Sequence, residues 1–402
     1  MNNLEKQVRK IIDDVKERGD RAVSYYTLKY DGIKLSYSEF IVQKSEIKSA
    51  YKKVDRITLN AFNTVIKNVK RYHVGQKPKD RVLNYDGVKI KEIFKPLDSV
   101  GVYVPGGYYS YPSTVFMTVI PANVAGVKKI VVATPPGKLT PEVLVACDMC
   151  KVDRIYRVGG VQSIAALACG TNTIQKVDKI VGPGNVYVTT AKKLLFGEVG
   201  IDLLAGPSEI VVVADDSAPA DFVLYDILAQ LEHGMSTRGI LITDSDKLLK
   251  EVRGKLRFFP PMFCFAKQDT GVRMTCPGRV SFIKIKDINK SAEIVNKIAP
   301  EHLEIITRNP GRIVKNIRNA GAVFIGRYSP VASGDYITGP SHVLPTGGTA
   351  RFSSGLSVRT FMKSFAVMEY TKKGFDSISN KVIHLAGLEG LEEHAESIKV
   401  RG

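Results

Sequence analysis

The 402-residue sequence predicts an α/β protein with two separate, largely parallel sheets, and three observations carry that reading. Short apolar runs recur from Val100 onward: VGVYV (100–104), KIVVAT (129–134), RIYRV (154–158), DKIV (178–181), EIVVVAD (209–215), GILITD (239–244), VSFIKI (280–285), HLEIIT (302–307) and AVFIG (322–326). They stand roughly 20 to 40 residues apart with a helical pattern in most gaps, the signature of βαβ units. Gly206-Pro207, in the run LLAGPS, then interrupts the alternation, so nine strands divide into two sheets.

Taken in order, residues 1–95 read as helices. Leu4, Val8, Ile11, Ile12 and Val15 recur at helical spacing, and Phe62, Val65, Ile66 and Val69 do the same further on. The strand runs that follow build two Rossmann-like domains, one inserted in the other. Residues 100–209 form the inserted domain, and 1–99 with 210–355 form the discontinuous one, with its helical N-terminus. Residues 356–402 read as a helical tail, Val358 to Tyr370 and Gly387 to Lys399, joined by TKKGFDSISN. That tail is too short to hold a core and must dock on something.

Composition excludes several classes. Charged residues are 24% and hydrophobic ones 44%, which fits neither wholesale disorder nor a coiled coil. The longest apolar stretch, Thr114 to Val127, contains Pro121 and Asn123 and falls short of the roughly 20 residues a membrane span needs. The charged N-terminus lacks an apolar signal region, so the expected compartment is the cytoplasm. Five cysteines, Cys147, Cys150, Cys169, Cys264 and Cys276, are irregularly spaced and read as buried thiols, not as a disulfide framework or zinc knuckles. The net charge is +18, and half of it comes from residues 44–95. A nucleic-acid partner for that stretch is the remote alternative, but no aromatic-interleaved motif accompanies it, so it reads as a solvated face.

Glycine turns follow several strands: VPGG (104–107), VGG (158–160) and VGPGN (181–185). Such turns place backbone N–H groups and a helix dipole where an anion can bind, although G-x-G-x-x-G itself is absent. Gln230-Leu-Glu-His233 closes a helix expected over Asp221 to Glu232, where the spacing alone favours a capping histidine over a metal ligand. Glu301-His302 follows Ala299-Pro300 and precedes the strand LEII. A joint role for these neighbours needs irregular backbone at the mouth of the sheet. Ser333 to Gly348 reads as a long Gly/Pro/Thr-rich loop carrying Asp335 and His342. Asp335 there is a hard-cation or zinc ligand, or else a turn cap.

As a set, GVYVPGG, GGVQSIAALACGT, VDKIVGPGN, AGPSEIVV, AQLEHG, APEHLEI, SGDYITGPSHVLPTGGTARFSSGLSV and LEGLEEH resemble the histidinol dehydrogenase family over about residues 5–401. The departures are Ser341, where the family commonly has Asn, and the idiosyncratic stretch 255–280. The resemblance implies the oxidation of L-histidinol to L-histidine through the aldehyde, in histidine biosynthesis, with two hydride transfers to two NAD+. It implies one zinc per subunit held by Gln230, His233, Asp335 and His394, the last supplied across a homodimer by a swapped tail. Ser208, Glu389 and His302 would complete the substrate site, and Tyr103, Gln162 and Asn185 would meet NAD+. In such chemistry zinc orients the substrate, His302 has the pKa of a base for the alcohol step, and Glu301 can deprotonate the water that the aldehyde step needs. The alternative within the same chemistry is a paralogous zinc- and NAD-dependent dehydrogenase acting on another small alcohol.

Overall fold

The structure, a computed structural model, describes residues 2–106, 110–234, 236–256 and 280–402. Four helices open the chain: α1 (Asn3–Arg18), α2 (Asp20–Asp31), α3 (Lys44–Tyr51) and α4 (Arg56–Val74). The side chains of Asn2 and Asp55 cap the first and last of these by accepting from the N–H groups of Glu5 and Thr58, which satisfies donors that a helix start leaves open. The predicted stripe Val8, Ile11, Ile12 and Val15 is the buried face of α1.

The segment expected to continue as helix is instead a hairpin, β1 (Arg81–Tyr85) and β2 (Val88–Pro96). Tyr85 pairs with Val88 across Asp86-Gly87, and both turn residues have positive φ, 45° and 80°. A two-residue Asp-Gly turn of this kind is the strongest short-range hairpin signal, and it outweighs the helical spacing of the residues before it.

The first parallel sheet follows: β3 (Ser99–Tyr103), α5 (Pro112–Ala125), β4 (Lys129–Ala133), α6 (Pro141–Met149), β5 (Arg154–Tyr156), α7 (Gly160–Cys169), β6 (Lys179–Val181), α8 (Val186–Leu195) and β7 (Gly200–Ile201). Its order is β5-β4-β3-β6-β7. The second repeats the plan with β8 (Glu209–Ala214), α9 (Ala220–Leu231), β9 (Arg238–Thr243), α10 (Asp246–Leu256), β10 (Val280–Lys284), α11 (Ser291–Ile298), β11 (His302–Ile306), α12 (Pro310–Val314), β12 (Ala322–Ile325) and α13 (Val331–Tyr336). Its order is β10-β9-β8-β11-β12, so all nine predicted runs are strands. Counted within each sheet both orders are 3-2-1-4-5, a doubly wound order without its sixth strand, with the topological switch between β3 and β6 and between β8 and β11. Every residue of β8 is buried, as covering by helices on both faces requires.

Packing reverses the expected nesting of the domains. Helices α1 and α2 lie on α7, α3 lies on α6 and α4 on α5. Val8, Val15 and Tyr26 share a core with Tyr103, Val131 and Tyr156, while Val343, Leu356, Val358 and Phe361 join the other face of the same sheet. Residues 1–99 therefore do not belong with 210–355. The flanks build the first domain, and the second sheet, with cores of its own, is the insertion. An apolar helix stripe states that a face is buried but not against which sheet.

The tail also departs from expectation. Met362–Tyr370 is a strand, β13, paired antiparallel with β2 in a three-stranded sheet β1-β2-β13. The connector TKKGFDSISN lies mostly within α14 (Lys372–Leu388), whose start is capped by Thr371, and α15 (Glu392–Lys399) ends the chain. Cys147 and Cys150 are buried and burial pushes both thiols up, as structural cysteines behave. Cys264 and Cys276, with most of the idiosyncratic stretch, lie outside the described residues. Among the described residues no helix is long and apolar enough to cross a membrane.

Candidate active site

Two groups of expected site residues gather at two sheet edges. The first lies at the carboxyl edge of the first sheet. Tyr103 ends β3 and is 3% exposed, and its hydroxyl accepts from the N–H of Gly160, where α7 begins, at 3.2 Å. Burial raises that phenol to about 12. Gln162, 1% exposed, stands on the first turn of α7 with its Nε2 buried and unpartnered. Asn185 starts α8 and its Oδ1 accepts from the N–H groups of Tyr187 and Val188, both at 3.1 Å. Gly182 joins the turns: its φ is +111°, and a Cβ there would stand 2.2 Å from the carbonyl oxygen of Tyr103. Only glycine permits that approach.

The second group lies at the amino edge of the second sheet. Ala299 closes α11 in the left-handed conformation, φ 53°, and Pro300 and Glu301 turn the chain into β11. The carbonyl of Glu301 accepts from Ala322 at 2.9 Å, and Gly321 is packed so closely that a Cβ would lie 2.5 Å from the same oxygen. Glu301 thus sits just before the regular ladder, which lets its side chain share a pocket with that of its neighbour. His302 opens β11, in register with Ile210 and Ala322. Its Nδ1 is 3.9 Å from Glu301 Oε2 and its Nε2 is 3.5 Å from Asp335 Oδ1. These are ion-pair distances, too long for hydrogen bonds, and both ring nitrogens are buried without a hydrogen-bond partner.

The electrostatics follow from burial. Burial raises the Glu301 carboxyl to about 7, against the opposing pull of His302, the Glu209 N–H and the Ser208 hydroxyl. The Glu209 N–H donates to Glu301 Oε2 at 3.1 Å. Burial also disfavours the imidazolium of His302, but Asp335 and Glu301 beside it outweigh burial and raise its pKa. Burial likewise opposes the Asp335 anion, and it is overcome by His302, His342 and His233, so that carboxyl is lowered. A base near neutrality beside a carboxylate held ionised is the arrangement of proton-transfer sites.

Asp335 does not stand in a loop, as expected, but in the short helix α13, and the loop begins only after Tyr336. Gln230 lies on the last turn of α9, 3% exposed, with Nε2 buried and unpartnered. His233 follows at the rim, where surrounding protein lowers its pKa and the Asp335 charge opposes that shift. These side chains offer imidazole nitrogen and carboxylate or amide oxygen, the donor types zinc accepts. Among the described residues, no three acidic, histidine or cysteine side chains of this one chain stand close enough to hold a metal. Glu389 and His394 are exposed, on a tail where α15 packs against α14, and in the single chain they are not brought to the site.

Sequence reasoning left two participants out of the site. His342 reaches it, with Nδ1 3.0 Å from the Asp335 carbonyl, and its signal was its presence in the same Gly/Pro-rich segment as Asp335. Glu209 accepts from the Gly347 N–H at 3.0 Å, and the Gly206 N–H donates to Thr346 Oγ1. These two bonds tie the segment after His342 to the start of β8. A buried carboxylate at a strand start has no signature in sequence.

The histidinol dehydrogenase family matches residues 1–402. The histidinol dehydrogenase of Clostridium acetobutylicum is 45% identical over 400 residues, covering 98% of this chain and 92% of that one. That of Methanocaldococcus jannaschii is 45% identical over 399 residues, 98% of this chain and 91% of its own. The crystal structure of histidinol dehydrogenase from Elizabethkingia anophelis superposes with a TM-score of 0.92 at 35% identity, covering 100% of this chain and 92% of that one. An acetylating aldehyde dehydrogenase from Geobacillus thermoglucosidasius, 13% identical with a TM-score of 0.51 over 92% of this chain and 97% of that one, shares the fold alone.

Proposed function

The chain belongs to the histidinol dehydrogenase family, and from that premise we propose that it oxidises L-histidinol to L-histidine through histidinal. NAD+ would accept both hydrides, one zinc would be resident, and the work would be a cytoplasmic step of histidine biosynthesis. The observation that carries the reading is the buried contact of His302 with Glu301 on one side and Asp335 on the other.

In this reading His302 takes the hydroxyl proton of the alcohol. Its ring nitrogens are free of hydrogen bonds, and the two flanking carboxyl groups favour the imidazolium that results. Glu301 takes a proton from the water that hydrates the aldehyde, and a carboxyl raised to about 7 is matched to that task near neutral pH. The Ser208 hydroxyl and the Glu209 N–H hold its carboxylate in place. Gln230, His233 and Asp335 would hold the zinc together with His394 of the partner subunit, in a homodimer whose swapped tail also delivers Glu389 to the substrate. When bound, the metal supplies a template that orients the imidazole and amine of histidinol. Tyr103, Gln162 and Asn185 would receive the dinucleotide at the switch point of the first sheet, where such folds bind nucleotides.

The test is absorbance at the NADH band with histidinol as sole substrate, before and after chelation and after zinc return. Two NADH per histidinol, lost with the chelator and restored by zinc, are expected. One NADH per substrate, or full turnover in chelator, overturns the reading.

A further inference from the structure

The first sheet contains a buried ion pair that the proposed chemistry does not use. Lys192 lies on α8 and Asp202 just after β7, and their side chains are 3% and 1% exposed. Among the described residues, every hydrogen bond of the pair that is not between its own two members goes to main chain. Lys192 Nζ donates to the Gly182 carbonyl at 3.0 Å. Asp202 Oδ2 accepts from the Gly182 N–H at 2.7 Å, and Oδ1 accepts from the Leu203 N–H at 2.7 Å and from Lys192. Both polar groups of Gly182 are thereby held by one salt bridge. The Thr189 hydroxyl, on the same helix, donates to the Ala205 carbonyl at 3.0 Å and binds α8 to the segment that carries Asp202.

A buried ion pair is weak support for stability, because desolvation of two charges offsets most of their attraction. Its value must lie in the conformation it selects. Gly182 is where the chain leaves β6, pressed against the Tyr103 carbonyl, and three residues later Asn185 starts α8. With the turn unable to move toward β3, the pair prevents it from lifting away. Lys192 is itself two turns into the helix whose start it controls.

We propose that Lys192 and Asp202 are positioning residues for the dinucleotide: by gripping both main-chain groups of Gly182 they set where the Gly182–Asn185 turn and the first turn of α8 meet the cofactor. The proposal rests on the reading that NAD+ binds at this edge. Loss of the pair relaxes the turn and weakens the cofactor without touching the amino edge of the second sheet, where the substrate residues lie.

The experiment uses the zinc-loaded full-length enzyme and NADH as probe, titrated by its fluorescence. The double variant Lys192→Met, Asp202→Leu replaces the pair by apolar side chains of similar size and removes both charges together. Its dissociation constant for NADH is expected to rise about tenfold or more, as the loss of one or two charge-assisted hydrogen bonds gives. The KM for histidinol should stay within about twofold, where an enzyme impaired throughout would lose both. Lys192→Met, Asp202→Asn also removes both charges but keeps an amide oxygen for the Gly182 and Leu203 N–H groups, so it is expected to give a smaller rise and serves if the first variant does not fold. Asn185→Ala and Gln162→Ala mark the edge itself. If they weaken NADH binding while neither Lys192 variant does, the positioning role is overturned and the cofactor edge stands. If all four bind NADH as the unaltered enzyme does, the cofactor edge and the positioning role fall together.

Discussion

In the first sheet the residues assigned to a dinucleotide, Tyr103, Gln162 and Asn185, stand where β3 ends and where α7 and α8 begin. In the second, Ser208, Glu301 and His302 stand where β8 and β11 begin. The two sheets have the same strand order, so topology offers each a crevice at the carboxyl edge of its switch point, and in the first sheet's crevice Gln162 keeps a buried, unpartnered amide nitrogen open to a ligand. At the carboxyl edge of the second sheet Asp215 fills that role itself. It accepts from the Ser217 N–H at 2.9 Å, from the Ser217 hydroxyl, and from the Arg308 N–H at 2.8 Å, while Arg308 grips Asp216 with both terminal nitrogens at 2.6 and 2.9 Å. Both carboxylates are thus engaged by groups of the same chain. The lesson is that a repeated fold supplies candidate sites and local side chains choose among them.

The comparison breaks most easily at the amino edge of the second sheet. Replacing Glu301 by Gln should cut aldehyde oxidation by about a thousandfold, the order a positioned base supplies, and spare alcohol oxidation relative to it. Replacing His302 by Asn should do the reverse. Steady-state rates with histidinal and histidinol measured separately decide the matter, and equal losses in both steps for both variants would show that the two residues are not divided between the half-reactions. The carboxylate is the active form of Glu301, so with a pKa of about 7 the aldehyde step should rise as pH climbs through neutrality and level off above it. That limb should vanish in the Gln variant.

Metal is the next largest effect. His233→Asn and Asp335→Asn proteins that remain folded should bind zinc at least about a hundredfold more weakly, and metal analysis after gel filtration should find them nearly empty. Stoichiometric zinc in both would reduce these residues to two ordinary helix ends. The tail tests whether that edge is complete within one chain. A Glu301→Gln, His302→Asn double variant mixed with a His394→Asn variant should regain activity after subunit exchange, at the one site per heterodimer that unites an intact base pair with an intact tail. If His394 served its own chain, each site would keep a lesion and no activity would return.

The smallest effect is expected at the carboxyl edge of the second sheet. Asp215→Asn removes a charged acceptor from three donors, so it should cost about 1–3 kcal/mol of stability and lower the melting temperature by a few degrees. Its kcat and both KM values should stay within about twofold. A tenfold loss of kcat at unchanged melting temperature would mean that both edges of the second sheet serve the reaction.

What could be read from sequence were features that neighbours along the chain decide. The nine parallel strands follow from apolar runs of strand length, the break at Gly206-Pro207 from its composition, Glu301 and His302 from residue types that carry proton chemistry, and Asp335 from an acid in a Gly/Pro/Thr-rich segment where a cation ligand or a turn cap is expected. The family resemblance then named the remaining site residues by motif. What only the tertiary structure decided was partnership. Helices α1 to α4 show a periodic apolar face whether it covers the first sheet or the second, so which domain was inserted in which was hidden until their cores were seen. Strand β13 pairs with β2 from more than 260 residues away, a distance over which no local propensity operates. His342, Glu209 and the Lys192–Asp202 pair act through contacts with main-chain groups that only folding brings near, and a carboxylate or lysine in sequence does not announce that it will be buried. Local patterns carry free energies that neighbouring residues settle between them, whereas burial, register and charge pairing depend on the whole chain having chosen its fold.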